Sequence, residues 1–118
     1  MSSYPKSLIQ AYLADDTITQ YTFVKFDDTD KKVIPAGDGE KFIGVAMTAA
    51  TAGDDVEVAI NGGALVKLSD TITRGESVCA DANGEGDGGA STNWACTALQ
   101  SGVDDDVIAV LLDGHYHA

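Results

Sequence analysis

Asp16-Thr17-Ile18-Thr19, near the start of the chain, returns letter for letter as Asp70-Thr71-Ile72-Thr73. The next residues of each copy also match at one offset: Phe23-Val24-Lys25-Phe26-Asp27 after the first, Ser77-Val78-Cys79-Ala80-Asp81 after the second. The match resumes at Val45-Ala46-Met47-Thr48 against Thr97-Ala98-Leu99-Gln100. With a one-residue slip it continues at Asp54-Asp55-Val56-Glu57-Val58 against Asp104-Asp105-Asp106-Val107-Ile108-Ala109-Val110. Each copy ends in an apolar strand, so the chain reads as two pseudo-repeats, 16–69 and 70–118, with residues 1–15 standing outside them as an N-terminal arm. Duplicated scaffolds more often present surfaces than perform chemistry.

At 118 residues the chain fits one domain, because about 100 to 150 residues is the usual size and repeats this short could not bury separate cores. Hydrophobic residues make up 44% and aromatics 7%, with Ala and Val predominating. Apolar burial contributes roughly 25 cal/mol per Å², so small side chains offer less stabilisation per residue than Leu or Phe. An oligomeric or docked state would add the remainder.

From Thr22 onward the pattern is β. Short runs at 22–26, 42–47, 56–60, 64–68, 77–80 and 107–112 are separated by Gly, Asp and Asn clusters, a rhythm that predicts an all-β small barrel or sandwich built from the duplication. Asn61-Gly62-Gly63 lies between two runs and supplies the positive φ angles of a tight turn, which predicts a hairpin over residues 56–68. In the first copy of the last strand, Val56, Val58 and Ile60 alternate with Glu57, Ala59 and Asn61, one dry face and one wet. In the second, residues 107–112 are apolar on both faces, and either the arm or a subunit interface must cover the additional one. Within the arm, Leu8, Ile9, Tyr12 and Leu13 have helix-compatible spacing, yet so short an isolated helix is marginal in water. The arm is expected to order against its own domain, a neighbouring subunit or a larger surface.

The formal charge is −12, from 19 acids against 7 bases, and no Lys or Arg follows Arg74. Nucleic-acid binding needs cations to displace phosphate counterions, and anionic membranes ask for the same sign, so neither is an expected partner. No apolar run approaches the ~20 residues of a membrane span. The first residues lack the apolar stretch of a secretory signal, which predicts synthesis in the cytoplasm.

Cys79 and Cys96 show no CxxC spacing; they read as two buried thiols or as a cross-strand disulfide. Asp81, Asn83, Glu85 and Gly86 resemble the opening of a calcium loop, but the twelfth position is Thr92 where a bidentate Glu is wanted. No metal or cofactor is expected. The residues 81–92, almost without packing side chains, read as a mobile surface loop. Trp94 at its edge is either a core plug or an aromatic interface anchor. His115 and His117 flank Tyr116 with no third ligand in view. A nucleophile–base arrangement needs a rigidly held base, and no Gly-rich loop ends in a phosphate-binding Lys. Catalysis is not expected.

The segments Phe23-Val24-Lys25-Phe26, Lys32-Val33-Ile34-Pro35-Ala36, Phe42-Ile43-Gly44-Val45-Ala46 and Ala52-Gly53-Asp54-Asp55-Val56-Glu57-Val58-Ala59, with the echo Val78-Cys79-Ala80-Asp81-Ala82-Asn83-Gly84, resemble the head-decoration, or capsid cement, proteins of tailed bacteriophages. The resemblance runs over residues 17–112; the second copy departs at Trp94-Ala95-Cys96-Thr97-Ala98, where Ile-Gly-Val-Ala is expected. It implies a virion protein on the outer surface of an expanded icosahedral head, often trimeric, clamping neighbouring subunits of the major capsid protein, with no catalytic residues. The contacts are then expected from the arm (Leu8, Ile9, Tyr12, Leu13), from Trp94, and from Ile108, Val110 and Leu112 of the last strand. Loss of residues 1–13 would weaken attachment and leave the β domain folded. The rival readings are a carbohydrate- or receptor-binding fibre module using Trp94 and Tyr116, and a tail or neck component.

Overall fold

The computed structural model describes residues 7–27, 32–88 and 95–112. Their regular elements are nine strands: β1 (Ser7–Ala14), β2 (Phe23–Phe26), β3 (Lys32–Pro35), β4 (Gly44–Ala46), β5 (Asp55–Lys67), β6 (Ser77–Ala80), β7 (Gly86–Asp87), β8 (Cys96–Ala98) and β9 (Val107–Leu112). The protein is all-β, and its strands join in the order β1-β3-β2-β4-β5-β9-β8-β6-β7, with β1 also paired to β5. That last pairing closes the first half on itself. β1 runs parallel to β3 at Leu13↔Lys32 and Ala14↔Val33, and antiparallel to β5 from Ser7↔Gly62 to Leu13↔Asp55. In the second half β5 pairs with β9, and a parallel bridge between Leu68 and Gly86 returns the far edge to the end of β5. The fold is thus two closed rings of strands that share β5.

A set of hydrogen bonds recurs at equivalent residues of the two rings. Asp16 accepts the N–H of Thr17 at 2.7 Å and Asp70 that of Thr71 at 2.8 Å, the local capping for which Asp is suited. Ile18 exchanges backbone bonds with Ala50 (2.8 and 3.0 Å), and Ile72 does so with Gly102 (2.8 and 3.0 Å). Ala14 donates to Asp54 O at 2.9 Å, and Leu68 donates to Asp106 O at 2.8 Å. Thr48 Oγ1 accepts from Glu57 N, and Gln100 Oε1 accepts from Ala109 N. Backbone strain is repeated as well: Tyr21 (φ 66) matches Gly75 (φ 92). These equivalences start each structural repeat one strand before its Asp-Thr-Ile-Thr motif, near residues 7 and 61. The preceding strand is β1 in one copy and the second half of β5 in the other, and their sequences share too few letters to align.

The hairpin expected over residues 56–68 does not form. β5 passes straight through Asn61-Gly62-Gly63 as 13 continuous residues. A two-residue hairpin turn of the Asn-Gly type needs two consecutive positive φ values, and only Gly62 (φ 79) has one. The two halves of β5 have different partners, β1 and β4 before Gly62 and β9 after it, so neither folds back on the other. Helical spacing in the arm is likewise overridden. Residues 7–14 are a strand whose ladder with β5 shifts register between Leu8 and Ile9.

The last strand also differs from expectation. Ile108, Val110 and Leu112 are 3%, 0% and 0% exposed and lie in the interior of ring two; side chains so buried cannot meet a partner, which corrects their placement at an interface. Ala109, on the other face, is buried at 1%, where Gln100 Oε1 holds its N–H at 2.7 Å. Cys79 and Cys96 are buried thiols that are not joined in a disulfide. Cys96 stands opposite Val78, so Cys79, the next residue of β6, faces the other way. The residues 81–87 are a formed hairpin rather than a loose loop: Asp81 Oδ1 accepts from Asn83 N and Glu85 N at 2.8 and 2.9 Å, and β6 pairs with β7.

Inside the rings, equivalent positions trade volume. Ala14, Val33 and Ala50 of ring one correspond to Leu68, Gly86 and Gly102 of ring two. A Cβ on Gly86 would lie 2.9 Å from Leu68 Cδ2, and one on Gly102 would lie 3.0 Å from Leu68 Cδ1 and 2.7 Å from Ile108 Cγ2. One large side chain therefore fills the space that three smaller ones fill in the first copy. The rings meet where Phe23, Ala36, Phe42, Val45 and Ala59 of ring one join the buried cluster of ring two, with the Phe23 and Phe42 rings 4.3 Å apart.

Leu68→Ala should cost about 2–5 kcal/mol, and Gly102→Ala should be less costly in that background than in the wild type; a urea double-mutant cycle showing additivity would refute the exchange of volume. Deletion of residues 1–13 removes nearly all of β1 and opens ring one, so the truncated chain should lose its cooperative thermal transition, in contrast to the detachable arm expected from sequence.

Candidate functional site

Strand pairing and burial leave apolar side chains at least partly exposed on both faces of β1 in ring one, Ile9 and Leu13 on one and Tyr12 on the other. Along β1, Leu8 is 56% exposed, Ile9 45% and Leu13 43%. Tyr12 is half-buried and meets Phe26 edge-on, with ring centroids 5.6 Å apart at 77°; Phe26 itself is 52% exposed. An open groove of about 510 Å³ runs beside the strand, lined by Gln10, Ala11, Tyr12, Leu13 and Asp55. β1 owes this exposure to its pairing. β5 takes its full length on one side, while β3 reaches only Leu13 and Ala14 on the other, so among the described residues the outer edge of residues 7–12 carries no strand. Unpaired edges of this kind are what partner strands or covering segments use.

The structure thus brings Leu8, Ile9, Tyr12 and Leu13 together on one strand and adds Phe26, which the sequence places in a β run without a role. The duplication carries its signal: the matching position in the second copy is Ala80, and an exposed aromatic in place of a buried Ala marks a difference between the copies. Val103 (54% exposed) and Val107 (43%) form a smaller apolar area on ring two. Trp94, Tyr116, His115 and His117 lie outside the described residues.

Carboxylates border the groove side of ring one. The Asp15 carboxyl is pushed above its ordinary value, chiefly by its hydrogen bond to Asp27, then by desolvation and by Asp27's charge, with Lys32 opposing. Lys32 lies 3.7 Å from Asp15. On the seam side, Glu40 pairs with Lys25 at 2.8 Å. Lys25 and the Gly37 N–H hold its carboxyl below the usual range. On ring two, burial and the adjacent Asp70 raise Asp87. Among the described residues no group of three or more His, Cys, Asp or Glu is placed to hold a metal ion. The Asp81 oxygen that a calcium loop would use caps its own turn.

The fold is a duplicated all-β domain with an exposed, apolar strand edge. The phage cement protein family model matches residues 6–112, and the chain belongs to that family of structural phage proteins. Its fold is similar to that of the head fiber gp8.5 N base in bacteriophage phi29, with a TM-score of 0.77 over 96% of this chain and 99% of that one, at 12% identity. No curated protein matches the sequence. The β8 strand, where the second copy departs from the family pattern, pairs with β6 and β9 in the register that β4 takes with β2 and β5.

A carboxyl whose folded pKa is raised contributes stability that is present below its unfolded pKa and lost as pH rises through the folded one. Asp15→Asn should therefore raise the urea midpoint relative to wild type near neutral pH, with the difference vanishing toward about pH 3. Glu40→Gln, with the opposite sign, should lower it near neutral pH only.

Proposed function

We propose that the protein binds the outer surface of an expanded icosahedral phage head and cements neighbouring major capsid subunits, acting by attachment without catalysis. The observation that carries the reading is the exposed apolar strand β1 on a domain of the cement family. An all-β ring structure with a core of small side chains gains stability by docking, and a ligand that prefers the expanded lattice stabilises that state by linkage. Copies assembled as a homotrimer would add avidity. A second reading is a base that seats a fibre on the head, favoured by the fold shared with the phi29 head-fibre base across nearly all of both chains. In either case the protein resides on the virion.

Co-sedimentation with undecorated expanded heads and with unexpanded precursor shells tests the proposal. Saturable binding to expanded heads alone is expected; no binding to either overturns it. The stoichiometry per shell separates a lattice-wide cement from a sparse fibre base.

A further inference from the structure

The two rings share one backbone scheme and are unequal at one end. In ring two that end is framed by Ala64, Val66, Ala80 and Leu112, all fully buried. They share their cluster with Phe23, Ala36, Phe42, Val45 and Ala59 from ring one. Backbone bonds lock the closure: Gly39 N–H to Ala80 O at 2.8 Å, Phe23 N–H to Gly84 O at 2.7 Å, and Lys67 N–H to Tyr21 O at 2.9 Å. Ring one therefore plugs the end of ring two with a pair of aromatic rings set among small residues.

By the same repeat register, the matching end of ring one is framed by Gln10, Tyr12, Phe26 and Ile60. Gln10 and Phe26 are exposed, and Tyr12 and Ile60 are half-buried. Tyr12 and Phe26 stand where Val66 and Ala80 stand in ring two, and their edge-on contact covers part of the opening without burying Phe26. No described residue supplies the plug that ring two receives. Another copy's second repeat keeps an aromatic, Trp94, at the position of Phe42, but it has Ser77 and Thr97 in place of Phe23 and Val45, and a second copy brings a further charge of −12 against the acids at this end. Asp27 follows Phe26 and meets Asp15, and Lys32 is engaged by Asp15. Charge complementarity selects a basic partner.

We infer that the Tyr12–Phe26 end of ring one is a socket for an aromatic segment of a partner protein flanked by Lys or Arg, seated as Phe23 and Phe42 are seated on ring two. The inference deepens the capsid reading by naming the face that docks, and it is tested apart from it. Labelled protein is titrated with the synthetic peptide RGFGFGR and with RGGGGGR, following amide shifts by NMR. Saturable shifts centred on Gln10, Tyr12, Phe26 and Ile60 are expected with the first peptide, lost in Phe26→Asp and kept in Val103→Asp. Absence of those shifts, equal shifts with RGGGGGR, or the same shifts on raising protein concentration alone would each overturn the socket, the last by making a second copy its occupant. In the head-binding assay Phe26→Asp should weaken attachment at least tenfold and Val103→Asp should not. Equal binding by Phe26→Asp refutes the socket as the capsid contact. Peptide binding without head binding by the wild type refutes the capsid reading and leaves the socket standing.

Discussion

β5 is hydrogen-bonded to β1 and β4 through its first half and to β9 through its second, and it is the strand that both rings share. Each backbone bond contributes only about 1 kcal/mol net, but stripping a buried one of its partner costs more than that. The rings cannot part without breaking a single continuous strand. The buried side chains nevertheless fall into two clusters, one inside ring one (Ala14, Ile18, Val24, Val33, Ala46, Ala50, Val56 and Val58) and one spanning ring two and the seam, where a single shared core was expected, and Gly62, whose φ of 79 lets the strand change partners in mid-course, sits between them. A residue with a Cβ would pay a steric penalty at that angle.

Duplication gave the protein two copies of one hydrogen-bond scheme and let their interiors diverge. The scheme depends on backbone geometry, short capping acids and one buried Ile per copy, so it tolerates change elsewhere. Close packing does not tolerate net volume change, so Leu68 appears together with Gly86 and Gly102. Gly44 shows the same constraint at closer range: a Cβ there would lie 2.1 Å from Ala59 O, so β4 reaches β5 only because the side chain is absent.

Divergence left the two rings asymmetric. Ring one closes ring two, and that use of Phe23 and Phe42 inside the chain leaves ring one's own end and the β1 edge facing outward. The formal charge of −12 accompanies exposed apolar side chains on β1 and at Phe26.

The duplication, the all-β class and the register between copies were legible in the letters, because Asp-Thr-Ile-Thr and the paired acids before the last strands perform the same local hydrogen bonding twice. Local signals failed where tertiary pairing overruled them. Asn61-Gly62-Gly63 has turn chemistry, and β1 has helical spacing, yet partners on both sides of β5 hold each in a strand. The apolar run of residues 107–112 was visible as a strand needing cover, but whether the cover was another subunit or the protein's own interior depended on contacts between segments far apart in sequence. The sequence alone determined which groups recur and therefore that two like rings exist. Only the tertiary structure decided which ring is plugged and which stays open, because that depends on how one copy packs against the other, and packing across the seam is written in no single stretch of chain.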